Sequence, residues 1–161
     1  MTIRPASPDD VPAILPLIAR LVEVMQTNDP QKYGSDDEAH EMYRGWLRNL
    51  IEQGRAVILV ADAAGHNEPA RVIGFIIGTI EREIPIYRLK EFGFLHDLWV
   101  EESYRHEGVG RQLVIEAVER FTHLGVKQIR LDVLVGNGPA RKLFAACGFR
   151  DTVIEMLLPL D

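Results

Sequence analysis

The apolar positions of the chain change period twice. Val11, Ile14, Leu15, Ile18, Leu21, Val22 and Met25 recur at intervals of three and four, which predicts a helix. Ser7-Pro8-Asp9-Asp10 before it supplies an N-cap, a first-turn proline and acids suited to the positive end of the helix dipole. Pro12 and Pro16 delay its start or kink it, and Thr2 to Pro5 predicts a short strand ahead of it. After a turn-rich stretch from Asn28 to Gly34, Ser35 and Glu38 form a capping box for a second helix. That helix carries Ala39, Met42, Tyr43, Trp46, Leu47, Leu50 and Ile51 on one face and stops at Gly54.

From Arg55 the pattern turns to β-branched runs. Residues 56–62 and 71–81 read as a hairpin joined by the loop composition of residues 63–69. Gly74 and Gly78, inside the second run, mark a bulge or a close backbone approach. An irregular piece around Pro85 leads to a strand from Phe92 to Val100. A helix then opens near Gly108, with Val109, Leu113, Val114, Ala117, Val118, Phe121 and Leu124 as its stripe and Gly125 as its stop. A strand over 128–135, a short helix over 139–146 and a last strand over 152–158 complete the order. Helices, a hairpin, then β-α-β-α-β predict an α/β (three-layer α+β) fold, a mixed sheet with helices on both faces, in one domain over 1–161.

Composition narrows the setting. The 47% apolar fraction supports an ordinary core, and the single cysteine, Cys147, excludes an internal disulfide framework and any multi-cysteine metal site. The expectation is a protein of the reducing cytoplasm, with no metal and no membrane span, since no apolar run has the needed length. A formal charge of −6 argues against nucleic acid and suits a cationic acceptor, although acidity also serves solubility.

The densest chemical signal is Arg105-His106-Glu107-Gly108-Val109-Gly110, a polar turn with two glycines at the start of a helix. The first amides of a helix lack intrahelical partners and carry its positive dipole end, so this loop predicts an anion site for a phosphate. Arg105 and Arg111 flank it as charged partners. A glycine pair alone also makes a plain turn. A dinucleotide fold would want three glycines after the first strand, and a P-loop a Gly-Lys-Ser/Thr ending; neither is present.

The segment from Asp97 to Val114 resembles the core motif of the GNAT family of N-acetyltransferases, Arg/Gln-x-x-Gly-x-Gly/Ala. A second block, Asn137 to Phe149, is similar to the family's Asn-x-x-Ala-x-x-Leu-Tyr-x-x-x-Gly-Phe stretch, and the opening Ile3 to Asp10 to its first strand and helix. The resemblance implies acetyl-CoA as co-substrate, a sheet splayed open between the strand ending at Val100 and the next one, and a pantetheine arm paired with backbone around Leu98, Trp99 and Val100. The pyrophosphate would lie on Arg105 to Gly110. Asn137 matches a position that meets the cofactor and equally reads as a helix N-cap. Cys147 reads as a small buried residue. The resemblance also allows a homodimer.

The implied reaction is attack of a neutral primary amine, on a small molecule or a peptide, on the thioester carbonyl, with a backbone donor near Val100 polarising its oxygen. The sequence departs from the family where protons move. Phe144 stands at the position of the tyrosine that often protonates the thiolate, and His96 where some relatives carry glutamate. Candidate bases are His96, acting through a water, and Asp97. Strand alternation sends the two to opposite faces. Acceptor recognition falls to the first two helices and the loop with Glu81, Glu83, Tyr87 and Glu91. Two other readings remain: a non-catalytic acyl-CoA-binding domain, and a binder of another nucleotide phosphate.

Overall fold

The computed structural model describes residues 1–34, 37–64 and 70–160. Its elements are β1 (Thr2–Pro5), α1 (Val11–Asn28), α2 (Asp37–Gln53), β2 (Val57–Ala63), β3 (Arg71–Arg82), β4 (Glu91–Val100), α3 (Val109–His123), β5 (Ile129–Leu131) and α4 (Gly138–Ala146). The expected capping box of Ser35 with Glu38 and the tip of the β2–β3 loop lie outside the described residues.

Entry into α1 is set by one carboxylate. Asp10 accepts the backbone N–H of Ser7 at 2.7 Å and its hydroxyl at 2.9 Å, closing the short 3-10 turn Pro8–Asp10. Arg4 of β1 grips both oxygens of Asp10 at 2.8 Å and reaches Asp62 of β2 at 2.6 Å. This fork joins the first strand, the first helix and the second strand. It also holds the Asp10 carboxyl down at about 2, chiefly through the Arg4 hydrogen bonds.

The strands lie in the order β1-β2-β3-β4-β5, antiparallel throughout except for the parallel pair β4–β5. Side-chain alternation gives the sheet two apolar faces. Ile58, Val60, Phe75 and Ile77 pack under Val11, Ile14, Leu15 and Ile18 of α1 and Leu47 of α2. Val57, Leu59, Ala61, Ile76 and Leu95 pack under Leu113, Val114, Ala117 and Phe121 of α3 and Phe144 of α4. The three-layer α/β arrangement is therefore the one the periodicities predict.

Gly74 and Gly78 each border a register shift, and each is also a close approach. A Cβ on Gly74 would stand 2.8 Å from the carbonyl oxygen of Trp99, and one on Gly78 2.8 Å from the Phe121 ring. In the second shift Ile77 pairs with Asp97 and Gly78 with Leu95, so His96 is the extra residue of a β-bulge in β4.

Two expected strands differ. The strand expected over 128–135 is limited to Ile129–Leu131, because Leu131 pairs with Leu95 and the next residue of β4 is the bulged His96. The ladder ends where the bulge begins. His96 to Val100 thus have β3 on one side and no paired strand on the other among the described residues, which is the expected opening in the sheet. Residues 150–160 form no strand. Their apolar alternation is strand-like, but it meets no sheet edge among the described residues, and Val153, Ile154, Met156 and Leu158 stand 81–91% exposed.

Candidate active site

β4 carries the site on both of its flanks. Beyond Val100 the chain makes a 3-10 turn (Glu102–Tyr104), then passes His106 at φ 67° and Gly108 at φ 83° before α3 begins. A left-handed Gly108 is the N-cap of α3, and no side chain caps the first amides of the helix. Nothing among the described residues lies within 4 Å of the place a Gly108 Cβ would take. His106, Glu107 and Gly108 are exposed, whereas the Val109 side chain is buried in the core and leaves only its backbone to the loop. Open amides, a positive dipole end and exposed Arg111 are what a pyrophosphate requires, so these residues fit the phosphate end of CoA.

Arg105 is placed differently from the sequence expectation. Its Nε donates to the carbonyl of Val100 at 3.0 Å and its guanidinium lies 4.7 Å from the Trp99 ring centre, folded back along the strand rather than over the loop. Leu98 and Val100 pack toward α3, and Trp99 toward α1 and α2. The backbone edge of Leu98 to Val100 beside the sheet opening fits an extended amide-bearing arm by strand-like pairing. Asn137 is the N-cap of α4, its Oδ1 accepting the Ala140 N–H at 3.1 Å. Phe144 is buried, edge-on to Phe149 at 5.7 Å. Cys147 is half-buried and burial pushes its thiol up, away from nucleophilic use.

The other flank overturns one expectation. Alternation was expected to send His96 and Asp97 to opposite faces, but the bulge at His96 resets the alternation and turns both toward α2. Tyr43 of α2 places its hydroxyl 3.5 Å from Oδ2 of Asp97. Trp46, one helical turn on, meets Tyr43 at 5.7 Å and the His96 ring at 5.3 Å, and Phe94 flanks His96 at 4.9 Å. Nε2 of His96 lies 2.6 Å from the hydroxyl of buried Thr79, which in turn donates to Glu81.

This environment tunes both candidate bases. Burial raises the Asp97 carboxyl to about 6, against a smaller lowering by the Tyr43 hydrogen bond. Burial lowers the His96 imidazole, partly offset by Glu81 and Asp132. Burial and the Asp97 charge together push the Tyr43 phenol up to about 12. Two titratable groups, one shifted up and one shifted down by burial, therefore share one aromatic-walled face.

Tyr43, Trp46 and Thr79 touch His96 or Asp97, a proximity that the sequence left unplaced. Their signal was faint: Tyr43 and Trp46 sit on the apolar stripe of α2, where core packing explains them equally well. The loop acids fare otherwise. Glu83 is paired with Arg130, whose guanidinium also covers Tyr87 at 5.3 Å, and Glu91 lies 3.4 Å from Arg82 and 3.8 Å from Arg55. Of that group, Glu81 reaches the His96 face. Among the described residues no group of three or more His, Cys, Asp or Glu could hold a metal.

Residues 20–149 match the acetyltransferase (GNAT) family. The chain is 25% identical over 151 residues to the thialysine N-epsilon-acetyltransferase of Bos taurus, covering 92% of this chain and 84% of that one. It is 27% identical over 85 residues to the uncharacterized N-acetyltransferase YycN of Bacillus subtilis (strain 168); that match covers 53% of this chain and spans about half (52%) of the relative. Among solved structures, the tetramutant of the BH1408 protein from Bacillus halodurans superimposes with a TM-score of 0.83 at 20% identity, covering 99% of this chain and all of that one. A predicted acetyltransferase from Clostridium acetobutylicum, solved with acetyl-CoA, superimposes with a TM-score of 0.76 at 16% identity, covering 98% of this chain and 95% of that one.

Proposed function

Since the chain belongs to the acetyltransferase (GNAT) family, whose general reaction is acetyl-CoA-dependent N-acetylation, we propose that it acetylates a primary amine of a small molecule or peptide by direct attack on the thioester. The observation that carries this reading is the bulge at His96. It turns two titratable side chains, His96 and Asp97, toward α2 at the point where the β4–β5 pairing ends, which supports the reading of that face as the acceptor side.

Acetyl-CoA supplies an activated acyl carbon and a thiol whose moderate pKa makes it a fair leaving group. The chain's residues do the rest. The amides of the loop from Arg105 to Gly110 and of the start of α3, with Arg111, hold the pyrophosphate, and the Leu98–Val100 backbone aligns the arm. A backbone donor near Val100 polarises the carbonyl oxygen. Asp97, ionised above about pH 6 and poor in competing water, draws the ammonium form of the acceptor to the face. The ammonium first gives one proton to solvent, which frees its lone pair; His96, the more exposed of the pair, takes the second through a water as the nitrogen–carbon bond forms and the carbon–sulfur bond breaks. Phe144 is buried and donates nothing, so the sulfur leaves with its electron pair as thiolate.

The acceptor reading rests on charge and aromatic walls: Asp97 and Glu81 with Trp46, Tyr43 and Phe94 suit a cationic amine. The bovine relative's name points to an amine on an amino acid, which is one class to test. The free Cys147 supports a reducing, cytoplasmic setting, and no described helix is long and apolar enough to cross a membrane. The exposed apolar run after α4 supports a homodimer, since a patch of that kind is ordinarily covered by a partner; light scattering of the intact chain and of one cut after Arg150 tests it.

Thiol release from acetyl-CoA across a panel of diamines, amino acids and peptides tests the main proposal. Phe144 favours a second reading, a domain that binds acyl-CoA without turning it over. Tight CoA binding by calorimetry with no thiol release would establish that reading, and stronger binding of ATP or NAD than of CoA would remove both.

A further inference from the structure

His96 stands where sequence relatedness suggested a glutamate, so whatever orients it must come from residues of this chain. The imidazole is gripped from three sides. Trp46 of α2 and Phe94 of β4 meet it edge-on at 5.3 and 4.9 Å, which fixes the ring plane. Thr79 of β3 fixes its rotation about the ring axis, with its hydroxyl 2.6 Å from Nε2.

The hydrogen-bond direction through Thr79 follows from its single proton. Glu81 is acceptor-only when ionised, so the Thr79 hydroxyl donates to Glu81. Having spent its proton there, the hydroxyl oxygen can only accept from His96. Nε2 must therefore carry hydrogen, which leaves Nδ1 with the lone pair. Nδ1 makes no hydrogen bond among the described residues.

We propose that Glu81 and Thr79 are positioning residues for His96, holding its neutral imidazole in the Nε2–H tautomer so that Nδ1 is the atom that takes the acceptor's proton. This rests on the reading of the α2 face as the acceptor side. It deepens that reading by assigning the basic atom and the two side chains that select it. In the transfer itself, Nδ1 gains the proton that the amine loses, the chain Nε2–H to Thr79 to Glu81 keeps its protons in place, and Glu81 faces the imidazolium with its negative charge. The other charged groups facing His96 are Asp132, which follows β5, and Asp97, its neighbour on β4 held by Tyr43 of α2.

The test combines a spectrum and a pH profile on the intact chain. Long-range proton–nitrogen correlation of the His96 imidazole should show the Nε2–H form in the unaltered protein and in Thr79→Ser. Thr79→Val should admit the Nδ1–H form. In kinetics, Thr79→Val should lower kcat by about tenfold, a part of the roughly hundredfold or more that general-base catalysis supplies, with KM little changed and with recovery in Thr79→Ser. Glu81→Gln should move the acidic limb of the kcat/KM profile to lower pH, because the charge that favours the imidazolium is gone. A merely structural Thr79 would leave the Nε2–H signature unchanged in Thr79→Val. An Nδ1–H imidazole in the unaltered protein overturns the proposal, as does an imidazole signature and profile unchanged in both Thr79→Val and Glu81→Gln. A locked Nε2–H tautomer in a protein that releases no thiol with any amine would uphold the hydrogen-bond lock and sink the acetyltransfer reading instead.

Discussion

The two flanks of β4 use different materials. Toward α3 the candidate site is backbone: the uncapped amides after Gly108 and the edge of Leu98 to Val100, unpaired among the described residues, with side chains such as Val109 and Phe144 committed to the core. Toward α2 it is side chains: Asp97 under Tyr43, and His96 between Trp46, Phe94 and Thr79. A backbone site recognises a group common to many reactions and tolerates change in the residues around it. A side-chain site can be re-specified by single substitutions, which suits the half that must select an acceptor.

The sharpest break between the flanks is His96→Ala. It should lower kcat by roughly a hundredfold, the scale of a lost general base, with CoA affinity unchanged by calorimetry. Gly108→Val attacks the opposite flank. A β-branched residue at φ 83° is strained by about 1–3 kcal/mol, so CoA affinity should fall roughly tenfold to a hundredfold while the α2-face hydrogen bonds persist.

Asp97→Asn separates function from stability on the α2 face. The folded carboxyl titrates at about 6 against an ordinary 3.8, so its folded state prefers the proton. The stabilisation this gives is complete below the ordinary value and is lost as pH rises through about 6. The asparagine variant should therefore be more stable than the parent at pH 7, by about 1–3 kcal/mol, with no such gain at pH 3, while kcat/KM for a cationic amine falls. Thermal unfolding at the two pH values reads the first effect.

Asp10 should behave in the opposite sense. Its carboxyl is held at about 2, so the Arg4 fork stabilises the fold above the ordinary value and fades as pH falls from about 4 toward 2. Asp10→Asn should flatten that acid limb of unfolding and leave kcat at pH 7 unchanged. The smallest effect expected is Phe144→Tyr, which should leave kcat as it is, because the proposed mechanism has the thiolate depart unaided and the ring packs in the core against Phe149.

The backbone flank was legible in the sequence because glycine reports on backbone. Gly108 has to be glycine-like at positive φ, and that constraint is written at one position next to a helix stripe. The side-chain flank was legible in part. His96 and Asp97 were named, but their common orientation depends on one extra residue in β4, and a bulge changes parity without changing composition. Gly78 hinted at an irregularity without saying which strand carried the insertion. Tyr43 and Thr79 were hidden because their roles depend on contacts across 54 and 17 residues of chain. The strand expected over 152–158 failed for a related reason: apolar alternation reports that a segment can pair, not that an edge is available.

On the proposed function, β4 binds the acyl donor on one flank and works on an amine with His96 on the other. Thiol release from acetyl-CoA, measured for the intact chain and His96→Ala across the amine panel with CoA affinity followed in parallel, tests it most directly. Turnover with at least one primary amine is expected, with a fall of about a hundredfold in the variant and equal CoA affinity in both. CoA binding without release for any amine, or equal turnover in the two proteins, would contradict it.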